Sequence, residues 1–239
     1  MKIAIAGEDH CHNVLARRLA QRAVSLEASA NLTFWDQAPG GWSGWKGSFY
    51  DTHKAARDLT GYLKPTGRPL YRRKRQDFEP RPSDNKTVRD LSVLFFDLLP
   101  PADRPDLLLV LIDVDGELDR LTELDPPQIL AGFPDPAAEA WLLALGRFPA
   151  DRRQDAKREL SYDPAHEPAR TGKKAKKVLH FLLGLAPSVH SAEDVAPHPE
   201  TIHALLDDAT WHDPSRATAR AACGLTAFQD KLQALAPAP

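Results

Sequence analysis

Three carboxylates sit where short apolar runs give out. Glu8 follows the run Lys2 to Ala6, and Asp113 and Asp115 follow DLLLVLI (106–112), the most apolar short run in the chain. In extended backbone alternate residues face the same side, so Asp113 and Asp115 present two carboxylates together while Val114 turns into the packing. Glu8, arriving from a neighbouring strand, makes a third hard oxygen ligand of the kind Mg²⁺ or Mn²⁺ prefers. Without a cation, three close carboxylates repel one another and at least one pKa rises. The plainer reading is that polar residues end strands and that Asp-x-Asp belongs to the turn.

Carboxylates of this kind repel a phosphodiester until cations are bound, so the chain needs basic residues to attract one. The formal net charge is −2, yet the basic residues are segregated: 64–81 and 170–177 are strongly positive and the remainder is acidic. Arg72, Arg73, Lys74 and Arg75 are consecutive, cannot share one helix face, and suit a loop or arm that contacts phosphates without reading bases. Lys173, Lys174, Lys176 and Lys177 form the second tract. The alternative for both is a solvated, solubilising surface. Trp35, Trp42 and Trp45 flank a glycine-rich loop; Trp35 suits the core, while the other two are open to packing, to stacking on unpaired bases or to a partner protein.

Other chemistries lack their residues. GxxxxGK[ST], GxGxxG and GxSxG are all missing, so ATP hydrolysis, dinucleotide binding and serine hydrolase chemistry are not supported. His10-Cys11-His12 is too compact for two ligands to converge easily, and His198, His203 and His212 match no zinc spacing. Two cysteines cannot build a disulfide framework, and the apolar run after Lys2 is too short for a signal peptide, so a cytoplasmic protein is expected. No stretch approaches the ~20 apolar residues of a membrane helix.

The elements that must position these residues alternate. Lys2–Ala6 reads as a strand, Asn13–Ala28 as an amphipathic helix with Leu15, Leu19, Ala23 and Leu26 on one face, and Asn31–Trp35 as a second strand. QAPGGWSGWKG (37–47) reads as loop, Asp51–Leu63 and Asp84–Leu99 as helices, and 106–112 as a central buried strand. Ile129–Phe133 reads as another strand, and Asp135-Pro136 opens a helix through AAEAWLLAL with proline at its first position. Helices follow at 151–160, 174–185, 199–209 and 215–235. This order predicts an α/β protein: a mostly parallel sheet flanked by helices, with the site at the strands' carboxyl ends. The expected division is an α/β domain over 1–150, with a basic and aromatic insertion at about 36–82, and a helical C-terminal extension over 151–239 packed on it.

Gly7-Glu8 after the first strand, a helix, and then an apolar strand ending in DxDG together resemble the Toprim domain of topoisomerases, primases and OLD-type nucleases. FPDPAAEAWLLA (133–144) resembles the P-x-x-E-x-W-L signature of small bacterial Toprim-like proteins, several of which accompany ATPases in phage-defence or abortive-infection loci. The resemblance covers roughly residues 1–185. It implies a Toprim-like sheet in which Glu8 is the general acid/base or metal-binding glutamate, Asp113 and Asp115 the metal pair, and Glu139 the third acidic motif. It also implies a late catalytic lysine, Lys173 or Lys174, with the register inside GKKAKK open. The chain departs from the pattern at His12, where nuclease relatives carry a second acid; histidine can bind Mn²⁺ or shuttle a proton. Glu139 has a plainer reading too, since an acid in a first helical turn is favoured by the helix dipole.

The implied activity is a Mg²⁺- or Mn²⁺-dependent nuclease acting on DNA or RNA, with an ATPase partner in anti-phage defence and an open oligomeric state. Two alternatives accompany it: a non-catalytic Toprim-like interaction or sensor subunit, motivated by His12, and a nucleotide-sugar transferase using Asp-x-Asp, for which the chain is short.

Overall fold

The computed structural model describes residues 1–23, 32–35, 42–63, 83–114 and 128–234. At its centre, strand β1 (Lys2–Gly7) pairs in parallel with β5 (Leu107–Leu111), with Ile3 opposite Leu107 and Ala6 opposite Val110. β5 pairs in parallel with β6 (Ile129–Gly132), and all five of its residues are buried, as expected of a parallel strand covered on both faces. The other edge of β1 is shared. Its first residues pair with β2 (Thr33–Phe34) and its last two with β4 (Phe49–Asp51), both in parallel. β3 (Trp45–Lys46) adds antiparallel to β4 and completes the order β3-β4-β1-β5-β6.

Alternation along the strands gives the sheet two apolar faces. Ile3, Ile5, Leu107, Leu109 and Leu111 face a core built with α1 (His10–Ala23), α4 (Ala138–Leu145), α6 (Ala175–Leu182), α7 (Pro199–Asp207) and α9 (Leu225–Ala234). Ala4, Ala6, Leu108, Val110 and Ile112 face α2 (Ala55–Leu63), α3 (Ser83–Ser92) and the π-helical turn Val93–Leu98. α5 (Ala150–Leu160) and α8 (Ala217–Ala222) complete the helical C-terminal part. The architecture is therefore an α/β fold with a mixed, mostly parallel sheet, flanking helices and C-terminal helices. Among the described residues, no helix is long and apolar enough to cross a membrane.

The glycine-rich segment expected to be loop ends in β3 and the start of the β3–β4 hairpin turn, which uses Gly47 at φ +63°. Its tryptophans pack rather than project. Trp42 is buried, Trp35 and Trp45 are half-buried, and all three lie with their ring centroids within 6.3 Å of Phe95. Such tilted and edge-on ring pairs stabilise a core beyond the area they bury. The last long helix is also interrupted: α8 and α9 are separated at Gly224, which takes φ +81°. The break leaves the Cys223 carbonyl free of a continuous helix, and the buried Trp141 indole N–H donates to it at 2.6 Å.

Candidate metal centre

The carboxyl edge of the sheet gathers the ends of β1, β4, β5 and β6. Glu8 and Asp9 follow β1, Asp51 ends β4, and Asp113 follows β5. The ladder continues past the strands, with Ile112 N–H donating to Gly132 O at 3.2 Å and Val114 N–H to Pro134 O at 3.0 Å. Asp113 is therefore held in register beside the entry to α4. Its Oδ1 accepts from the Ala138 N–H at 2.8 Å, satisfying a helix-terminal donor that no neighbouring side chain reaches. The helix accordingly begins at Ala138 with Ala137 as its cap, two residues later than the expected proline start. Glu139 becomes its second residue.

Asp9 organises the other side. Its Oδ1 accepts from the Cys11 N–H at 2.9 Å and the His12 N–H at 3.3 Å, capping α1, and meets the His12 Nδ1 at 2.9 Å. The His12 Nε2 meets the Asp113 Oδ1 at 2.8 Å. Both ring nitrogens face carboxylate oxygens, so the ring donates twice and carries positive charge. Burial acts against that charge, but the charge and hydrogen bond of Asp113 and the hydrogen bond of Asp9 outweigh it and hold the His12 pKa well above its usual range. Burial likewise acts to raise Asp9, and the hydrogen bond and charge of His12 overcome it and depress its pKa. Gly7 makes this approach feasible, because a Cβ there would lie 2.5 Å from the His12 Cβ.

Glu8, His12 and Asp113 each offer a donor atom, and the three atoms lie within 4.8 Å of one another. Glu8 is partly exposed, with the His53 Nε2 3.9 Å from its Oε2; His53 follows β4, and its backbone N–H donates to the Asp51 Oδ1 at 3.0 Å. Glu139 is 1% exposed and neither of its carboxylate oxygens has a hydrogen-bond partner. Burial, and then the charge of Asp113, push its pKa up to about 7, with Lys176 pulling the other way. An orphaned buried carboxyl is costly in a folded protein, and a cation or a bound polar group is the usual compensation.

The lysine register is also visible. Lys176 is half-buried, and although burial works against its charge, Glu139, Asp9 and Asp113 raise its pKa. Lys173 and Lys174 are exposed at the end of the 3₁₀ turn Pro168–Lys174, and Lys177 lies half-buried in α6. Lys173 and Lys176 line a cleft of about 240 Å³ together with Asp113, Pro136, Ala137 and Asp194. Of the expected residues, the structure thus brings Glu8, Asp113, Glu139, Lys173 and Lys176 to one region. Asp115 and the tract Arg72, Arg73, Lys74 and Arg75 lie outside the described residues.

Two contributors went unrecognised in sequence. The sequence pattern starts the helix at Asn13, which leaves Asp9 without a role; with the helix starting at His10, Asp9 caps it and reaches the His12 ring three residues on. His53 carries no motif. His10 turns away from His12, its Nε2 meeting the Pro197 carbonyl at 2.6 Å, so the compact His-Cys-His segment divides between two tasks. His198, His203 and His212 join no metal-capable cluster among the described residues. No family model, curated protein or solved structure matches the chain.

Proposed function

We propose that the protein is a divalent-metal-dependent phosphodiesterase acting on nucleic acid, with Glu8 and Asp113 as its principal metal-holding carboxylates. The observation that carries this reading is the convergence of the Glu8, His12 and Asp113 donor atoms at the sheet's carboxyl edge, with the orphaned Glu139 carboxyl alongside. The donor set fits a divalent cation, and such an ion, when bound, polarises a phosphoryl oxygen and lowers the pKa of coordinated water. Asp115, in the expected strand-end pair, belongs to the same proposed ligand set. The Toprim-like resemblance of the sequence supports the reading independently of the geometry.

The chain's own residues divide the remaining work. His12 and Lys176 carry positive charge among Asp9, Asp113 and Glu139, which offsets the repulsion that would otherwise splay the carboxylates. Lys173 and Lys176, which line the same cleft as Asp113, receive the phosphate and stabilise the charge that develops on it. Glu8, partly exposed at the rim, orients the attacking water or holds a second ion. Glu139, pushed up to about 7, can hold or give up a proton near neutrality as charge enters the site. An ATPase partner and a role in anti-phage defence belong to the same proposal and rest on the sequence resemblance.

End-labelled single- and double-stranded DNA and RNA incubated with the purified chain test the proposal. Cleavage that requires Mn²⁺ or Mg²⁺ and stops on chelation is expected. Intact substrate with every metal and nucleic acid, while the protein binds a partner undisturbed by Asp113→Asn, would establish the interaction-subunit reading instead.

A further inference from the structure

The geometry points to a mixed nitrogen and oxygen metal centre, with His12 and His53 as imidazole ligands beside Glu8 and Asp113, which favours first-row transition ions over Mg²⁺. This inference rests on the proposed metal dependence and specifies which metal the site is built for.

The His12 environment is that of a metal-ligating histidine. Such residues almost always give their second ring N–H to a carboxylate, which fixes ring orientation and raises ligand basicity. Here Asp9 is that carboxylate, at 2.9 Å from Nδ1, and Asp9 is itself immobilised by the Cys11 and His12 backbone N–H groups. Nε2 is thereby aimed across the site at Asp113. Two neighbouring donors on an ion with bonds of ~2.1 Å lie ~3 Å apart. The His12 Nε2 and Asp113 Oδ1 lie 2.8 Å apart across the hydrogen bond that joins them; a cation entering between them displaces the Nε2 proton to solvent, and neither backbone has to move.

His53 stands outside the three-donor cluster of Glu8, His12 and Asp113, with its Nε2 3.9 Å from Glu8 Oε2 and its backbone N–H on Asp51 at the end of β4, so it joins the ion by a turn of its exposed side chain. The ring is exposed, whereas His12 is 1% exposed and held at both ring nitrogens. A separate sign of a group yet to be bound is Glu139, 1% exposed with both carboxylate oxygens unpartnered. Mg²⁺ demands oxygen donors and gives up water reluctantly, while imidazole suits the later first-row ions, whose affinity for nitrogen sites rises from Mn²⁺ onward. Two imidazoles and two carboxylates therefore discriminate against Mg²⁺.

Mn²⁺ itself is the probe. Titrated into the full chain and followed by electron paramagnetic resonance, it is expected to bind one site with pulsed-resonance ¹⁴N couplings from two imidazoles, reduced to one in His53→Ala. Mg²⁺ is expected to displace it only at ≥10-fold excess. Asp9→Asn keeps an acceptor for the ring N–H yet lowers ligand basicity, and is expected to weaken Mn²⁺ binding by ~10- to 100-fold. Bound Mn²⁺ without ¹⁴N coupling, displacement by equimolar Mg²⁺, or no Mn²⁺ binding at millimolar concentration would overturn the inference. Two couplings unchanged in His53→Ala would overturn the assignment of His53. The two readings fail separately: a ¹⁴N-coupled site without cleavage removes the nuclease and keeps the centre, whereas cleavage supported by an all-oxygen site does the reverse.

Discussion

Asp113 carries more structure than its place at a strand end suggests. One oxygen accepts both the α4 terminal N–H and the His12 ring, so its removal strips partners from two buried donors. Asp113→Ala is expected to cost about 1–3 kcal/mol in urea unfolding, the usual penalty for orphaning buried polar groups. Asp113→Asn keeps a carbonyl oxygen for Ala138 and is expected to lose less than about 1 kcal/mol while losing the anionic ligand. Equal losses for the two variants would show that the Ala138 bond is unimportant. Glu8 and Asp113 were legible in the sequence because apolar runs end on them. His12 was legible only as a departure from an acid. Its partnership with Asp9 depends on one turn of helix folding back over Gly7, a close approach that no periodicity announces.

At the scale of elements, composition located the long, buried strand β5 and the helices flanking it, because burial on both faces leaves an uninterrupted apolar run. The β3–β4 hairpin escaped because strands of two and three residues show no alternation and its glycines and tryptophans read as loop. What anchors it is Asp58 of α2, which accepts from the Gly44 N–H at 2.8 Å, from the Tyr50 hydroxyl at 2.8 Å, and from the Ser43 hydroxyl. Burial acts to raise the Asp58 pKa, but the hydrogen bonds from Ser43, Gly44 and Tyr50 outweigh it and lower it. A carboxylate depressed in the folded state stabilises above its unfolded pKa, and that contribution is lost as pH falls through the folded value. Denaturant midpoints measured from pH 6 down to pH 2 are expected to fall less steeply in Asp58→Asn than in the unmutated chain. Parallel curves would remove Asp58 from the acid response. The break at Gly224 has a comparable origin: the apolar stripe continues through it, so the pattern predicts one helix where a positive φ enforces two.

For the whole molecule, the near-neutral charge conceals a division of labour. Carboxylates converge at one sheet edge, and Lys173 and Lys176 reach the same cleft from a segment some sixty residues further along the chain. A ligand that binds only the folded chain stabilises it by about 2.7 kcal/mol at 100 times its dissociation constant. For a chain of this length that corresponds to a rise of roughly 5–10 °C in melting temperature. Mn²⁺ is expected to produce this shift in the native protein and not in Asp113→Asn, as read by calorimetry; a shift of equal size in both would place the ion elsewhere.

Single-turnover cleavage of a labelled oligonucleotide in Mn²⁺, comparing the native chain with Asp113→Asn at matched folded concentration, tests the central claim most directly. Loss of a ligand worth several kcal/mol of transition-state stabilisation predicts a rate at least ~100-fold lower in the variant. Equal rates in the two proteins, or no metal-dependent cleavage by the native chain, would contradict a phosphodiesterase centred on Glu8 and Asp113.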